Sequence, residues 1–422
     1  MTELPSRYTS PGEHFMLSEL SSVSVTDLRA PEQEILIQSQ TGKAEIIDGL
    51  GPAWSCLCEE LQDSEPFFRP EWIRACLTAF FPNQQVTLLS AWSADRLLAV
   101  LPLLKERTWF CGLPVMRLSL VATVHSFRVG MVRREGAEGD EAVRALWEAI
   151  QQMPGWDVID IAYALDGGGL ETLANTAQEA GFHVARSRTS QALYLPIAPL
   201  VEKPTKDALP PWLACTRPKF RANLRRARRQ LEEQGTLTLR HVEDFDQDVL
   251  DKFYALEASG WKGQQGTAIL SNQNTKLFYD EIAKAAAGNG YLSLDLLELN
   301  GRPIAAHYAL NVGGRYFLAK AGYDERFHRY SPGQLLVNEI LNETEARGLR
   351  ELDFVGPATW DEGRWAASRR NHLHIFIFRK SFYGAMLHAI RITARRILKG
   401  LLQRSNGDDA DLPLLSQPEG GA

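Results

Sequence analysis

An α/β (α+β) fold built twice in tandem, each unit a mixed, twisted sheet flanked by helices, is the architecture this sequence predicts. One observation is the alternation of helix-spaced apolar residues with short strand-length apolar runs along most of the chain. A second is an internal repeat. Shifting the numbering by 206 lays Trp72 on Phe278, Cys76 on Ile282, Asp95-Arg96 on Gly301-Arg302 and Leu98-Ala99 on Ile304-Ala305. Helix, strand, tight turn and strand therefore recur in the same order without a gap. Further on, Ile159-Asp160-Ile161 matches Leu352-Asp353-Phe354 at a shift of 193, so order, turn position and strand aspartate agree together. A third is length: 422 residues are enough for two to three domains.

Residues 1–45 are rich in Ser and Glu without sustained periodicity and read as a mobile N-terminal arm. The first unit spans 46–200. Its first clear helix places Trp72, Cys76, Leu77 and Phe80 on one face, and strands over 85–91 and 97–103 flank the turn at Ser93-Ala94-Asp95-Arg96. A helix over 141–152, a buried strand over 156–162 and a helix over 170–180 follow. Gly181 stands where a helix C-cap needs a left-handed residue.

The second unit spans 201–390. It opens on a helix carrying Phe220, Leu224, Ala227 and Leu231, ended by Gly235. Seven of the thirteen residues from 217 to 229 are basic and none is acidic. That run is either the solvated face of a helix or a patch facing phosphate on a nucleotide, RNA or anionic lipid. Aromatic interleaving is limited to Phe220, which argues against sequence-specific nucleic-acid readout. Glu257 to Gly263 reads as a helix end that presents an aromatic, Trp261, and a cation, Lys262. A hairpin over 292–299 and 303–310 turns at Asn300-Gly301. A strand over 316–321, a charged loop over 324–330, a helix opening at Ser331-Pro332-Gly333 and strands over 351–355 and 372–378 complete the unit. Ser331 suits a helix cap and Pro332 the first turn. Arg326, His328 and Arg329 precede that helix, and a positive loop ahead of exposed helix N–H groups is an anion site.

Residues 382–404 are amphipathic and basic, fit to pack on the core or to lie on an anionic membrane surface. Residues 391–422 take the end of that helix and a Gly-, Asp- and Pro-rich tail expected to be disordered.

Composition excludes several classes. A net charge of −6 leaves only local basic surface. Cys56, Cys58, Cys76, Cys111 and Cys215 are scattered and odd in number, as expected of reduced packing cysteines in a reducing cytoplasm. No signal-peptide core and no membrane-length apolar stretch occurs. Also absent are a Gly-x-Ser-x-Gly elbow, a P-loop, a dinucleotide-binding glycine motif and a His-Glu-x-x-His zinc motif. His372 and His374 lack a nearby third ligand, so no metal is expected.

The order of elements, with Trp261-Lys262-Gly263, Gly301 to Ala306, Tyr323-Asp324, Tyr330-Ser331-Pro332-Gly333 and Leu352-Asp353-Phe354, resembles the GNAT acyltransferase superfamily. More narrowly it is similar to the tandem-GNAT branch of CelD-type cellulose-biosynthesis acetyltransferases, related to the Fem-type peptidoglycan aminoacyltransferases. The resemblance covers about residues 46–390 and implies two tandem GNAT-like domains using acyl-CoA, acetyl-CoA in the simplest case, as co-substrate. In that superfamily two strands splay apart around the pantetheine arm, and the pyrophosphate rests on the next helix. Here the splayed strands would be 316–321 and 351–355. Arg326, Arg329, Ser331, Gly333 and Gln334 would bind the cofactor; Trp261, Lys262 and Trp365 would line the acceptor.

Direct attack of an amine or hydroxyl on the thioester needs a base, an oxyanion donor and an acid. His307 is the first candidate base, Asp353 the second, and Tyr323 the acid for the thiolate. The implied acceptor is a small molecule or glycan precursor, with contact to a membrane surface or a polysaccharide synthase left open. A Fem-like enzyme using charged tRNA and a non-catalytic accessory protein are the alternatives.

Overall fold

The computed structural model describes residues 35–61, 65–197, 210–214, 216–357, 364–365 and 368–405. The first half contains β1 (Ile35–Gly42), α1 (Ile46–Glu60), α2 (Pro70–Phe80), β2 (Val86–Ser93), β3 (Arg96–Phe110), β4 (Leu113–Leu120) and β5 (Val132–Arg133). It continues through α3 (Gly136–Gln152), β6 (Val158–Leu165), α4 (Gly169–Glu179) and β7 (His183–Pro196). The second half begins with α5 (Pro211–Ala214), α6 (Pro218–Glu232), β8 (Leu237–Val242), α7 (Gln247–Ser259), α8 (Trp261–Gln264) and α9 (Gln273–Gly288). Then come β9 (Leu292–Leu299), β10 (Arg302–Val312), β11 (Arg315–Tyr323), α10 (Pro332–Asn342), β12 (Glu351–Pro357), β13 (Ser368–Phe378) and α11 (Phe382–Ser405).

The strands form one sheet in the order β1-β2-β3-β4-β6-β13-β7-β12-β11-β10-β9-β8, with β5 attached to β3. Read from either edge, the order is the same plan. The halves exchange their last strands: β13 pairs with β6 of the first half, and β7 pairs with β12 of the second. The two exchanged strands pair antiparallel with each other at the centre. A border at 200/201 therefore separates two repeats but not two sheets. The expected arm also ends earlier than residue 45. β1 pairs with β2 over all eight of its residues, and Ile35 and Ile37 pack on the core beneath. An edge strand buries only one face, so from Gln38 onward its residues are polar or glycine and conceal it in the composition. Residues 1–34 and 406–422, with the predicted tail, lie outside the described residues, as does Cys215.

Local chemistry accounts for most elements. Asn300 and Gly301 both have positive φ, 53° and 71°, the two left-handed residues that a tight two-residue hairpin turn requires. Asp246 and Asn272 cap α7 and α9 by accepting from backbone N–H groups of their first turns. Tyr163 in β6 and Val355 in β12 both have φ of 58°, which bulky residues adopt only when packing imposes it; at the shift of 193 they stand one position apart.

Helices α2 and α9 meet across the seam, where the repeat-related Trp72 and Phe278 stand edge-to-face with centroids 5.0 Å apart. Such a pair contributes about 0.5–1.5 kcal/mol beyond its buried area. Beneath it lies a buried, charge-balanced cluster of three acids and three arginines. Arg128 donates to both Asp353 oxygens at 2.9 Å and reaches Glu65 at 3.4 Å. Arg315 bonds Glu65 at 2.8 Å and Glu351 at 3.1 Å, and Arg370 bonds Asp353 at 2.6 Å and Glu351 at 3.1 Å. Ions this deep are retained only when paired.

Candidate active site

β11 and β12 run parallel and pair only over Arg315–Phe317 with Glu351–Asp353. Beyond Phe317 the two diverge. A bulge helps to drive them apart: Tyr308 of β10 faces Lys320 and Ala309 faces Leu318, leaving Ala319 as an extra residue. The predicted splay is therefore present, with the β11 edge open on the β12 side.

The chain leaves β11 through a 3-10 turn over Glu325–Tyr330 and enters α10 with Pro332 in its first turn. Ser331 does not cap the helix with its side chain, contrary to expectation. It adopts a left-handed conformation, φ 47° and ψ 56°, which turns its hydroxyl away from the first-turn N–H groups it would have to accept from. Between this helix start and α6 lies a cleft of about 270 Å³, lined by Asn223, Arg226, Gln230, Arg329, Ser331, Gln334 and Arg364 among others. Two features that were separate in the sequence, the basic run and the helix start, thus face each other. Arg226 makes no ion pair among the described residues, and Arg329 lies over the Tyr330 ring at 4.6 Å. Behind two lining residues stands Trp365: it is buried, stands edge-to-face on Phe220 and donates to Gln334 Oε1 at 2.6 Å.

The other predicted residues divide. Arg329, Ser331 and Gln334 line the cleft, and Gly333 lies in the first turn beside them. Arg326 does not; its guanidinium folds back on Asp324, the carboxylate that caps its own turn. Trp365, expected to line the acceptor, is buried behind Phe220 and Gln334 and does not itself line this cleft. Trp261 opens α8, and its side chain lies outside the described residues. Lys262 is partly buried, pairs with Glu257 at 3.2 Å and donates to the Ala321 carbonyl at 3.1 Å, on the far side of β11 from α10.

Both candidate bases are corrected. His307 is 2% exposed, and its Nδ1 meets the Tyr316 hydroxyl at 3.3 Å. Burial pulls its pKa down to about 4, against the opposing pull of Asp295. It belongs to a polar core network centred on Asp295, which accepts from Ser293, Tyr316, His241 and Arg347. Asp353 is fully buried and saturated by Arg128, Arg370 and the Val355 amide, so no lone pair is left for an incoming acceptor. Tyr323 is where it was expected, at the open end of β11. Partial burial and then Glu325 raise its pKa, so its hydroxyl keeps its proton at neutral pH.

Sequence reasoning missed the cleft-facing role of Arg226, Gln230 and Asn223. Their basic, helix-spaced run was legible, but not what it packs against. It also missed Lys320 and His125, for which no motif exists. Among the described residues no group of three or more His, Cys, Asp or Glu side chains is arranged to hold a metal.

Residues 218–366 match the family model described as "Acetyltransferase (GNAT) domain", a stretch that contains α6, the splayed strands and α10. No curated protein matches the sequence. Among solved structures, that of FemX aligns over 83% of this chain and 100% of its own, with 11% identity and a TM-score of 0.52. A tandem GNAT protein from the clavulanic acid biosynthesis pathway aligns over 81% and 98%, with 12% identity and a TM-score of 0.39. A GCN5-related N-acetyltransferase from Sphaerobacter thermophilus aligns over 83% and 98%, with 13% identity and a TM-score of 0.32. The fold is that of the GNAT acyltransferases, built as two GNAT-like repeats, and the acetyltransferase domain match falls on the second.

Proposed function

We propose that the protein transfers an acyl group from acyl-CoA, acetyl-CoA in the simplest case, to an amine or hydroxyl of a sugar or cell-envelope precursor such as an exopolysaccharide unit. The observation that carries this reading is the basic cleft at the α10 start, which the chain reaches through the 325–330 turn directly after the open edge of β11. An amide-bearing arm can bond that edge as an added strand. Its phosphates would meet Arg226, Arg329 and the first turn of α10. The acceptor then attacks the thioester carbonyl, a C–N or C–O bond forms, the C–S bond breaks, and Tyr323 protonates the departing thiolate. The CelD-type branch supplies the acceptor class by analogy only. Action in the cytoplasm, at or near the inner membrane, belongs to the same proposal; no helix among the described residues is long and apolar enough to cross a membrane.

Titration calorimetry with acetyl-CoA tests the reading. Binding that is lost in the Arg226→Ala, Arg329→Ala double variant supports it; no binding to the wild type overturns it. The likeness to FemX, together with exposed Arg225 and Arg229 extending the basic face of α6, favours a second reading in which the donor is an aminoacyl-tRNA. In that case charged tRNA, not acetyl-CoA, would bind in a manner sensitive to those arginines. A docking role for α11, whose Phe382 is 89% exposed, would show as liposome association lost on truncation after Lys380 without acetyl-CoA binding.

A further inference from the structure

On the opposite face of β11 from α10, where α7, α8 and α9 pack, a second group of polar side chains gathers just beyond the point at which β11 and β12 separate. Lys320 lies three residues past the last paired position, Phe317, and its ammonium stands 5.6 Å over the Tyr279 ring. It is partly buried, and no carboxylate among the described residues is within ion-pair distance of it. The acid that bears on it, Glu257 of α7, is held by Lys262 of α8 at 3.2 Å. The remaining titratable group facing it is His125, contributed by the first half. The His125 ring stands edge-on to Tyr279 at 5.5 Å and stacks on Phe80 and Phe278, with Tyr279 and Thr275 hydroxyls 3.4 Å from its nitrogens. Burial and then Lys320 pull the His125 pKa down to about 4, so this ring is neutral and lends Lys320 no charge.

A lysine over an aromatic ring, without a carboxylate partner, at the mouth of a strand splay is an uncommon arrangement. Structural lysines extend to water or pair; this one does neither fully. Burial first, then the positive charge of Lys262, pull its pKa down to about 8, against Glu257. That is the range in which an amine can both lose and regain a proton during turnover.

We propose that Lys320 is the general base of the transfer, accepting a proton from an amine acceptor that enters between the two halves over His125 and Tyr279. This rests on the acyl-donor reading above. An arm whose phosphates lie at the α10 start and which enters the splay ends beside 318–320. The acceptor ammonium gives one proton to neutral Nζ; its nitrogen bonds the carbonyl carbon; the C–S bond breaks. The second nitrogen proton goes to the thiolate, through Tyr323, and the Lys320 ammonium returns its proton to solvent, to which it keeps access.

The test is competitive labelling of the full chain with acetic anhydride across pH 6–10, read by peptide mass spectrometry, with and without acetyl-CoA. Lys320 is expected to reach half-maximal reactivity near pH 8 and to be shielded several-fold by saturating acetyl-CoA. In parallel, Lys320→Met and Lys320→Arg are compared with wild type in acetyl-CoA calorimetry and in coenzyme A release with glucosamine or, in its absence, water as acceptor. Unchanged acetyl-CoA affinity with release reduced about 10²-fold or more in both variants, and loss of the pH dependence near 8, supports the base. Ordinary lysine reactivity, absence of shielding while acetyl-CoA is bound, or full turnover of Lys320→Met overturns it. Failure of the wild type to bind acetyl-CoA overturns instead the donor reading on which the base depends.

Discussion

In the first half the segment after β4 folds back into the wedge between β4 and β6: the Val129 amide bonds the Tyr163 carbonyl at 3.0 Å, and Val129 bridges Ala164. In the second half the segment after β11 runs away from its wedge into the 325–330 turn, and the β11 edge stays open. The two helix starts differ in the same sense. Arg133 and Arg134, ahead of α3, are taken by Asp140 at 2.9 Å and Glu60 at 2.5 Å, and Glu138 lies in the first turn. Ahead of α10 no acid lies in the first turn, and Arg329 and Arg226 face a cleft. One repeat has filled its splay and paired the arginines ahead of its helix. It serves instead as a scaffold, sending Arg128 across to Asp353 and His125 across to Tyr279. Equal folds thus present unequal surfaces, decided by where one loop goes and which arginines already have partners.

The sharpest way to break this comparison is at the seam. Arg128→Met or Asp353→Asn is expected to cost about 3–5 kcal/mol in urea unfolding, because each leaves buried charge without its partner. Asp160→Asn, at the repeat-related position, should cost less, since that carboxylate is partly exposed beside Arg117 and His374. If Asp353→Asn unfolds like wild type and loses only turnover, the aspartate is a base after all. Next in size, Arg226→Ala and Arg329→Ala should each weaken acetyl-CoA binding by about 10-fold or more, the worth of one charge-assisted contact. Arg133→Ala in the first half should leave the affinity unchanged in the same calorimeter.

Smaller effects refine the contrast. The first half enters α3 with a left-handed glycine, Gly136 at φ 77°, where the second half enters α10 through left-handed Ser331. Ser331→Gly is therefore expected to raise thermal stability by up to about 1 kcal/mol through relief of that conformation. The smallest expected effect is a pH dependence confined to the second half. The hydrogen bond from Asp295 raises the His241 pKa, so its contribution is present below about pH 6.5 and lost as pH rises through the raised folded value. The ring is partly exposed, which limits this to below about 1 kcal/mol. For Asp295, burial works against the charge but His241 and Arg347 overrule it and hold the carboxyl at about 2. Its contribution is present above about pH 4 and lost as pH falls toward 2. The urea midpoint of His241→Asn minus that of wild type, followed from pH 5 to 8, reads the first effect.

The sequence by itself determined the elements and their repetition. Strand 292–299, the Asn300-Gly301 turn, the basic helix and the helix opening at Pro332 follow from local spacing and backbone chemistry, and the structure has them within a few residues of their expected ends. It also determined that a positive segment precedes α10. Only the tertiary structure decided that the halves exchange β7 and β13, that β1 belongs to the sheet, and that α6 faces the α10 start. It likewise decided that His307 and Asp353 are interior groups while Lys320 stands at the splay. The reason is separation along the chain. Arg128 meets Asp353 across 225 residues, and Thr275 meets His125 across 150. A histidine that will be stacked and neutral, an aspartate that will be saturated and a lysine that will lack an acid are written with the same letters as their opposites. Their protonation and reach depend on neighbours that periodicity cannot name.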